Sequence, residues 1–359
     1  MPDFTSALYL GFRHPSSSLA PWERLTSGVP AALRESSRGV RVASALARLQ
    51  GCDRATLAPS TLHLFWDLFV VLAEPGLSIF VDGEAYAIAR WGVERAAARG
   101  VATSRFGHRD AEALARQVRA AATRRRRPLV VSDGFCPGCG AAPLRAYLEL
   151  VRRYGGRLVV DDTQALGVLG KEPGPSAPYG RGGGGSLRHD GLEAPELVVG
   201  ASLAKGFGAP VAVLAGDARV VSRFESRSET RVHCSPPSAA AVNAAAHALT
   251  LNEGIGEARR ARLVSLVRRF RAGASAAGFV PRGSLFPVQT LAHVADAAAL
   301  HERLRGLGVH TVLHDGGGRT PRISFLLTAS HTPGDVDAAV AALERARTTL
   351  RPAQLVRAR

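Results

Sequence analysis

Leu129-Val-Val-Ser132, then Pro143-Leu-Arg-Ala-Tyr-Leu-Glu-Leu-Val151, then Arg157-Leu-Val-Val-Asp161 decide the fold of this 359-residue chain. The first and last are short apolar runs bounded by turn residues, the pattern of strands buried on both faces. Between them Pro143 opens a helix with Leu144, Tyr147, Leu148 and Val151 on one face, and Gly155 ends it. Leu197-Val-Val-Gly200 and Val211-Ala-Val-Leu-Ala215 continue the alternation, which predicts an α/β fold. Upstream, segments 43–49, 62–72 and 86–99 read as helices and 77–81 as a strand. The stretch 180–186, Gly-Arg-Gly-Gly-Gly-Gly-Ser, reads as a flexible surface loop, since it lacks the strand-to-helix setting of a nucleotide fingerprint. After about residue 250 the texture changes to Ala/Arg-rich helices, strand-like 289–294 and 322–327, and a final helix capped by Thr332 with Pro333 and Asp335 in its first turn. The expected organisation is an N-terminal segment 1–42 joining a smaller α+β domain, a large domain 43–250, and that small domain at 251–359.

Apolar residues make up 46% of the chain and charged ones 21%, which excludes a chain too polar to build a core. The longest apolar stretch, 62–73, is interrupted by His63 and Asp67 and is too short to cross a bilayer. The N-terminus lacks the basic and apolar regions of a secretory leader, so a cytoplasmic protein is expected. Net charge is +16, yet only Lys171 and Lys205 among the 46 basic residues are lysines. Arginine preserves charge but supplies no primary amine, so each retained lysine raises the question of nucleophilic chemistry, against the plainer reading as a surface charge. The arginines, the run at 124–127 included, are spread along the chain as on a solvated basic surface, and no nucleic-acid or membrane partner is expected.

The four cysteines, at 52, 136, 139 and 234, form no secreted disulfide framework. Cys136-Pro-Gly-Cys139 has the spacing of a metal knuckle or a redox dithiol. A second pair is missing, however, and a metal would need Cys52, Cys234 or a histidine to converge from distant segments. The pair is read as a tight turn after a strand, and no metal is assigned.

Asp161 and Asp162 stand at the carboxyl end of a strand, where open α/β sheets place ligands. About 40 residues on, Ser202-Leu-Ala-Lys205-Gly-Phe-Gly208 follows another apolar strand, in a setting that desolvates the amine. A carboxylate for a pyridine nitrogen and an amine for an imine are the groups pyridoxal 5'-phosphate (PLP) requires. Val131-Ser-Asp-Gly-Phe135 through Ala142-Pro-Leu144, residues 154–170 and Val199-Gly-Ala-Ser-Leu-Ala-Lys-Gly-Phe-Gly208 resemble the α-oxoamine synthases, fold-type I PLP enzymes. Weaker similarity runs through Ser6-Ala-Leu-Tyr-Leu-Gly11, Phe106-Gly-His-Arg-Asp110, Cys234-Ser-Pro-Pro-Ser238 and Arg322-Ile-Ser-Phe-Leu-Leu-Thr-Ala-Ser-His-Thr332, so it covers most of the chain.

That resemblance implies a large domain with a mixed, mostly parallel seven-stranded sheet, a smaller domain, and a homodimer with a shared active site. By the same resemblance Lys205 carries PLP and moves the substrate Cα proton, while Asp161 pairs with the pyridine nitrogen. Ser202 and the Ser60-Thr61-Leu62 turn hold the phosphate, Ser235 reaches the phosphate of the neighbouring subunit, and Arg322 holds the substrate carboxylate. Tyr86 stands where the family has a histidine stacking on the ring, with Gly92 keeping the register, and Gln164 where it has a histidine near the phenolic oxygen. Neither can titrate as histidine does, so reaction type is less constrained than cofactor binding. The implied activity is decarboxylative condensation of an amino acid with an acyl thioester of coenzyme A or an acyl carrier protein. The rivals are transamination or other Cα chemistry on the same fold, and a non-catalytic basic binding protein.

Overall fold

The computed structural model describes residues 1–19, 22–314 and 320–349, so residues 350–359 of the expected small domain lie outside it. The strands are β1 (Arg54–Ala58), β2 (Leu77–Asp82), β3 (Ala102–Phe106), β4 (Arg127–Asp133), β5 (Phe135–Cys136), β6 (Gly140–Ala141), β7 (Arg157–Asp161), β8 (Leu197–Ser202), β9 (Ala212–Gly216), β10 (Val280–Arg282), β11 (Val288–Ala292), β12 (Val312–His314) and β13 (Arg322–Leu326). The helices are α1 (Ser37–Gln50), α2 (Thr61–Leu72), α3 (Ala87–Ala98), α4 (Ala111–Ala122), α5 (Leu144–Arg153), α6 (Ser186–His189), α7 (Ala218–Arg227), α8 (Glu229–His233), α9 (Ala239–Ala276), α10 (Ala297–Gly306) and α11 (Pro333–Thr349).

Seven strands form one sheet in the order β1-β9-β8-β7-β4-β2-β3, in which β9 alone runs against its neighbours. The apolar runs become its centre because alternate residues feed opposite faces. Leu129, Val131, Val159 and Val198 pack against α2 and α3 through Leu64, Phe65, Phe69 and Val93. Val130, Leu158, Val160 and Val199 meet Leu114 and Val118 of α4 and Leu144, Tyr147, Leu148 and Val151 of α5. Each side chain so enclosed contributes about 1.5–3 kcal/mol, which explains why these strands read as unbroken apolar runs.

The smaller sheet runs β10-β11-β13-β12, wholly antiparallel. N-terminal residues join it: Phe4 N–H donates to His310 O, Leu326 N–H to Phe4 O and Ala329 N–H to Tyr9 O. The 38-residue α9 runs unbroken through residue 250, from a core shared with α1 to one shared with α10 and α11. The final helix has the expected reciprocal cap: Thr332 N–H donates to Asp335 Oδ2 at 2.8 Å, and Asp335 N–H to Thr332 Oγ1 at 3.1 Å.

The glycine-rich segment departs from its flexible reading. Gly183, Gly184 and Gly185 are buried, and Leu166 bridges Gly184 while Lys171 bridges Arg181. α9 fixes the turn: Asn252 donates to Gly182 O at 2.9 Å, and Glu257 accepts from Gly182 N–H at 2.7 Å. Gly183 has φ +70°, and a Cβ there would lie 2.6 Å from Gly167 O, so glycine is required by geometry. Among the described residues, no helix is long and apolar enough to cross a membrane.

Candidate active site

Parallel pairing brings the carboxyl ends of β4, β7 and β8 to one edge of the large sheet, the edge at which such sheets bind ligands. Asp133 and Asp161 end β4 and β7 directly opposite one another in register. Asp161 is buried; its Oδ1 accepts the N–H of Thr163 at 2.9 Å, while its Oδ2 is enclosed with no hydrogen-bond partner among the described residues. Burial pushes its carboxyl up, opposed by the Thr163 bonds and the Lys205 amine. Asp133 is pushed the same way by burial and then by the Asp161 charge, and its Oδ1 accepts Tyr86 N–H at 3.0 Å.

Lys205 lies in the turn after β8. Burial pulls its amine below the usual lysine value, while Asp161 and Asp133 pull back toward the charged form. The turn is closed by Leu203 N–H to Val211 O and by Ala204 N–H to Ser202 Oγ, at 2.9 and 3.2 Å. Thr163 accepts the N–H of Ser202 at 3.0 Å and donates to Asp161, fixing one strand end against the other. Tyr86 is the residue before α3, 43% exposed as a residue, and its hydroxyl is held above the ordinary tyrosine value by burial and by Asp161 and Asp133. Gln164 receives the Tyr9 hydroxyl on Oε1 at 2.7 Å. Its amide nitrogen is thereby oriented as the donor.

The structure therefore assembles Lys205, Asp161, Tyr86 and Ser202, with Gln164 adjoining through the chain. Ser60 begins α2 in extended conformation, with no side-chain cap, and its hydroxyl pairs with His63 at 2.9 Å. The first-turn N–H groups of Thr61 and Leu62 fall at a helix N-terminus, and α2 rides close over β8: a Cβ on Gly200 would lie 2.7 Å from the Phe65 ring. Ser235, exposed between α8 and α9, and Arg322, exposed on β13 opposite His314, share no hydrogen bond with the Lys205 group among the described residues.

Asp133, Thr163 and Tyr9 belong to this site and were not among the expected residues. Asp133 carries the signal that identified Asp161, an acid at the end of an apolar strand. Tyr9 carries none, because 155 residues separate it from Gln164.

The residues fit PLP. An enclosed carboxylate oxygen with an open acceptor position suits a protonated pyridine nitrogen, and a desolvated amine stands beside it.

The model of the "Aminotransferase class I and II" family matches residues 43–343. The 8-amino-7-oxononanoate synthase of Bordetella petrii is 34% identical over 250 residues, 67% of this chain and 59% of that protein. That of Anaeromyxobacter sp. is 37% identical over 266 residues, covering 71% and 62%. That of Alcanivorax borkumensis is 32% identical over 310 residues, covering 85% and 76%. The chain thus spans about three fifths of the length of the first two. Among solved structures, serine palmitoyltransferase from S. paucimobilis superposes with a TM-score of 0.83 at 18% identity, over 96% of this chain and 87% of that one. For 8-amino-7-oxononanoate synthase from Francisella tularensis the TM-score is 0.73 at 17% identity, over 96% and 97%. The match over residues 43–343 and the order of the strands lead to one assignment: the chain belongs to the class I and II aminotransferase family, on the fold-type I scaffold of the PLP-dependent α-oxoamine synthases.

Proposed function

We propose that this chain is a PLP-dependent acyltransferase that condenses an amino acid with an acyl thioester and releases carbon dioxide. The observation that supports it best is the buried Asp161 Oδ2, without a hydrogen-bond partner among the described residues, within electrostatic reach of the half-buried amine of Lys205. Bound PLP would supply an electron-withdrawing ring able to stabilise negative charge at the substrate Cα.

In this reading Lys205 Nζ holds the cofactor and then carries the Cα proton. Asp161 keeps the ring nitrogen protonated, and Tyr86 packs its ring on the cofactor face. The Gln164 amide, fixed by Tyr9, donates to the phenolic oxygen. Ser202, Ser60 and the backbone N–H groups of Thr61 and Leu62 take the phosphate. Ser235 reaches the phosphate of a second copy in a homodimer, and Arg322 takes the substrate carboxylate with its planar fork. The basic surface suits the phosphates of coenzyme A or an acidic carrier protein, in the cytoplasm. The domain division proposed with this reading is 1–42 with the small domain, 43–250, and 251–359.

The test is release of free thiol from acyl thioesters presented with a panel of amino acids. Thiol release that requires both substrates, together with carbon dioxide, is the expected result. Amino-group transfer to a keto acid with no thioester present would overturn the reading in favour of an aminotransferase, which Tyr86 and Gln164 permit. A purified protein with no cofactor absorbance, or one whose absorbance persists in Lys205→Ala, would remove the role of Lys205.

A further inference from the structure

The histidine that the Cys136–Cys139 pair needed is supplied by the turn after β3. The ligand atoms of His108, Cys136 and Cys139 lie within 4.8 Å of one another. Tetrahedral zinc with bonds of about 2.3 Å to sulfur and about 2.0 Å to nitrogen separates its ligands by roughly 3.5–3.8 Å, so an adjustment of about an ångström closes the set. Cys136 ends β5 and Cys139 sits in the turn of the β5–β6 hairpin: Cys136 pairs with Gly140, and Cys139 N–H donates to Cys136 O at 3.1 Å.

The histidine is prepared as a ligand. His108 Nδ1 lies 2.8 Å from Asp82 Oδ1, leaving Nε2, which is shielded from solvent and has no hydrogen-bond partner among the described residues. A carboxylate on the far ring nitrogen is the usual support of a metal-bound histidine, fixing its tautomer and raising its basicity. Asp82 also accepts Arg109 N–H on Oδ2 at 2.9 Å, holding Arg109 at φ +58°, and the Arg109 guanidinium donates to Cys139 O. The two halves of the set are therefore tied together by groups outside it.

We propose that His108, Cys136 and Cys139 bind one zinc ion, with Asp82 supporting the histidine and a solvent molecule as fourth ligand beside the exposed Cys139. Binding replaces the two S–H protons, which leave to solvent, and involves no redox change. The set joins the ends of β2, β3 and β4, the last of which carries Asp133. The hairpin that carries the thiols also packs on the connection between β10 and β11: Phe135 stacks on Phe286 with ring centroids 4.3 Å apart, and a Cβ on Gly283 would lie 3.1 Å from Pro137 O. The zinc is a clamp on the wall of the active site, and the proposal is independent of which reaction the site performs.

The experiment uses the full chain, purified under reductant and supplied with equimolar zinc before passage over a chelating resin. Mass spectrometry of the metal is expected to find one zinc per chain, and two of the four thiols become slow toward a thiol reagent. Cys139→Ser, on an exposed turn, loses at least about tenfold in bound zinc, whereas Cys52→Ser and Cys234→Ser do not. Asp82→Asn weakens affinity by roughly 10–100-fold, the usual effect of removing such a support. On the unaltered protein, cobalt(II) gives the intense visible bands of a tetrahedral thiolate site. Absence of retained zinc, zinc that persists in Cys139→Ser, thiols equally reactive with and without metal, or a Cys136–Cys139 disulfide in the reduced preparation would each overturn the proposal.

Discussion

Replacing Gly92 by alanine sets two effects of opposite sign against each other. In an exposed helix interior the change gains about 1 kcal/mol, because alanine loses less backbone entropy than glycine. At Gly92, where α3 crosses α2, the new Cβ would lie 2.0 Å from Phe65 O, and 2.8 Å from both Phe65 C and Phe69 Cδ2. Ordinary contact begins at 3.4 Å, so the two backbones must part by about 1.4 Å. Overpacking of a filled core costs roughly 1–3 kcal/mol, and a clash with backbone rather than a side-chain tip belongs at the upper end. The net expectation is a destabilisation of about 2 kcal/mol. The shift is delivered to the site, because Tyr86 begins α3 with its N–H on Asp133, and α2 begins at the Ser60 turn. Urea midpoints followed by circular dichroism, with PLP affinity measured on the same samples, check this. Gly254→Ala in α9 is the control: nothing lies within 4 Å of a Cβ there, and a gain of up to about 1 kcal/mol is expected. A Gly92→Ala protein as stable as the parent, with unchanged cofactor affinity, would refute the close crossing of α2 and α3.

Asp161→Ala should lower turnover by roughly 10²–10³-fold, the scale of losing one preorganised electrostatic partner, and steady-state rates near the parent's would refute its assigned role. Asp67→Ala should cost about 3 kcal/mol in denaturant titrations, the scale of leaving buried donors unpaired. Asp67 is enclosed and accepts from Arg95 at 3.0 Å, Ser228 Oγ at 2.7 Å, and Thr230 N–H and Oγ1 at 2.7 and 2.8 Å; Arg95 keeps Glu229, so the cost falls on the Ser228 and Thr230 donors, and a loss below about 1 kcal/mol would mean that they find other partners. Burial pushes Asp162 up to about 7 from 3.8, so the folded chain holds a proton across that interval that the unfolded chain has released. Its stabilising contribution is complete below 3.8 and lost as pH rises through 7, so the stability difference between parent and Asp162→Asn should shrink by a few kcal/mol across this window. Parallel curves at pH 4 and pH 8 would show that Asp162 titrates normally.

What the sequence makes legible follows the range of the interactions. β4, α5 and β7 are readable because burial on both faces of a parallel sheet writes itself into consecutive residues. The Thr332 cap is readable because its partner is three residues away. Segment 180–186 is misread because glycine content marks conformational freedom, whereas its order comes from Asn252 and Glu257, 70 and 75 residues downstream. His108 is invisible beside the cysteines for the same reason: only the strand order β7-β4-β2-β3 brings the turn after β3 to the β5–β6 hairpin. Asp161 and Lys205 carry their setting in their own strand ends, while Tyr9 reaches Gln164 across the chain and leaves no local mark.

The unbroken α9 has a mechanical consequence. At 1.5 Å per residue its 38 residues make a strut about 57 Å long, anchored at one end by Val242, Ala245 and Ala248 and at the other by Val267, Phe270 and Ala274. A strut of this kind resists a hinge at any single residue and bends gently along its length. The small sheet is therefore joined to the large one by a stiff member, and any displacement of it relative to Lys205 would be spread along α9 rather than concentrated at a hinge.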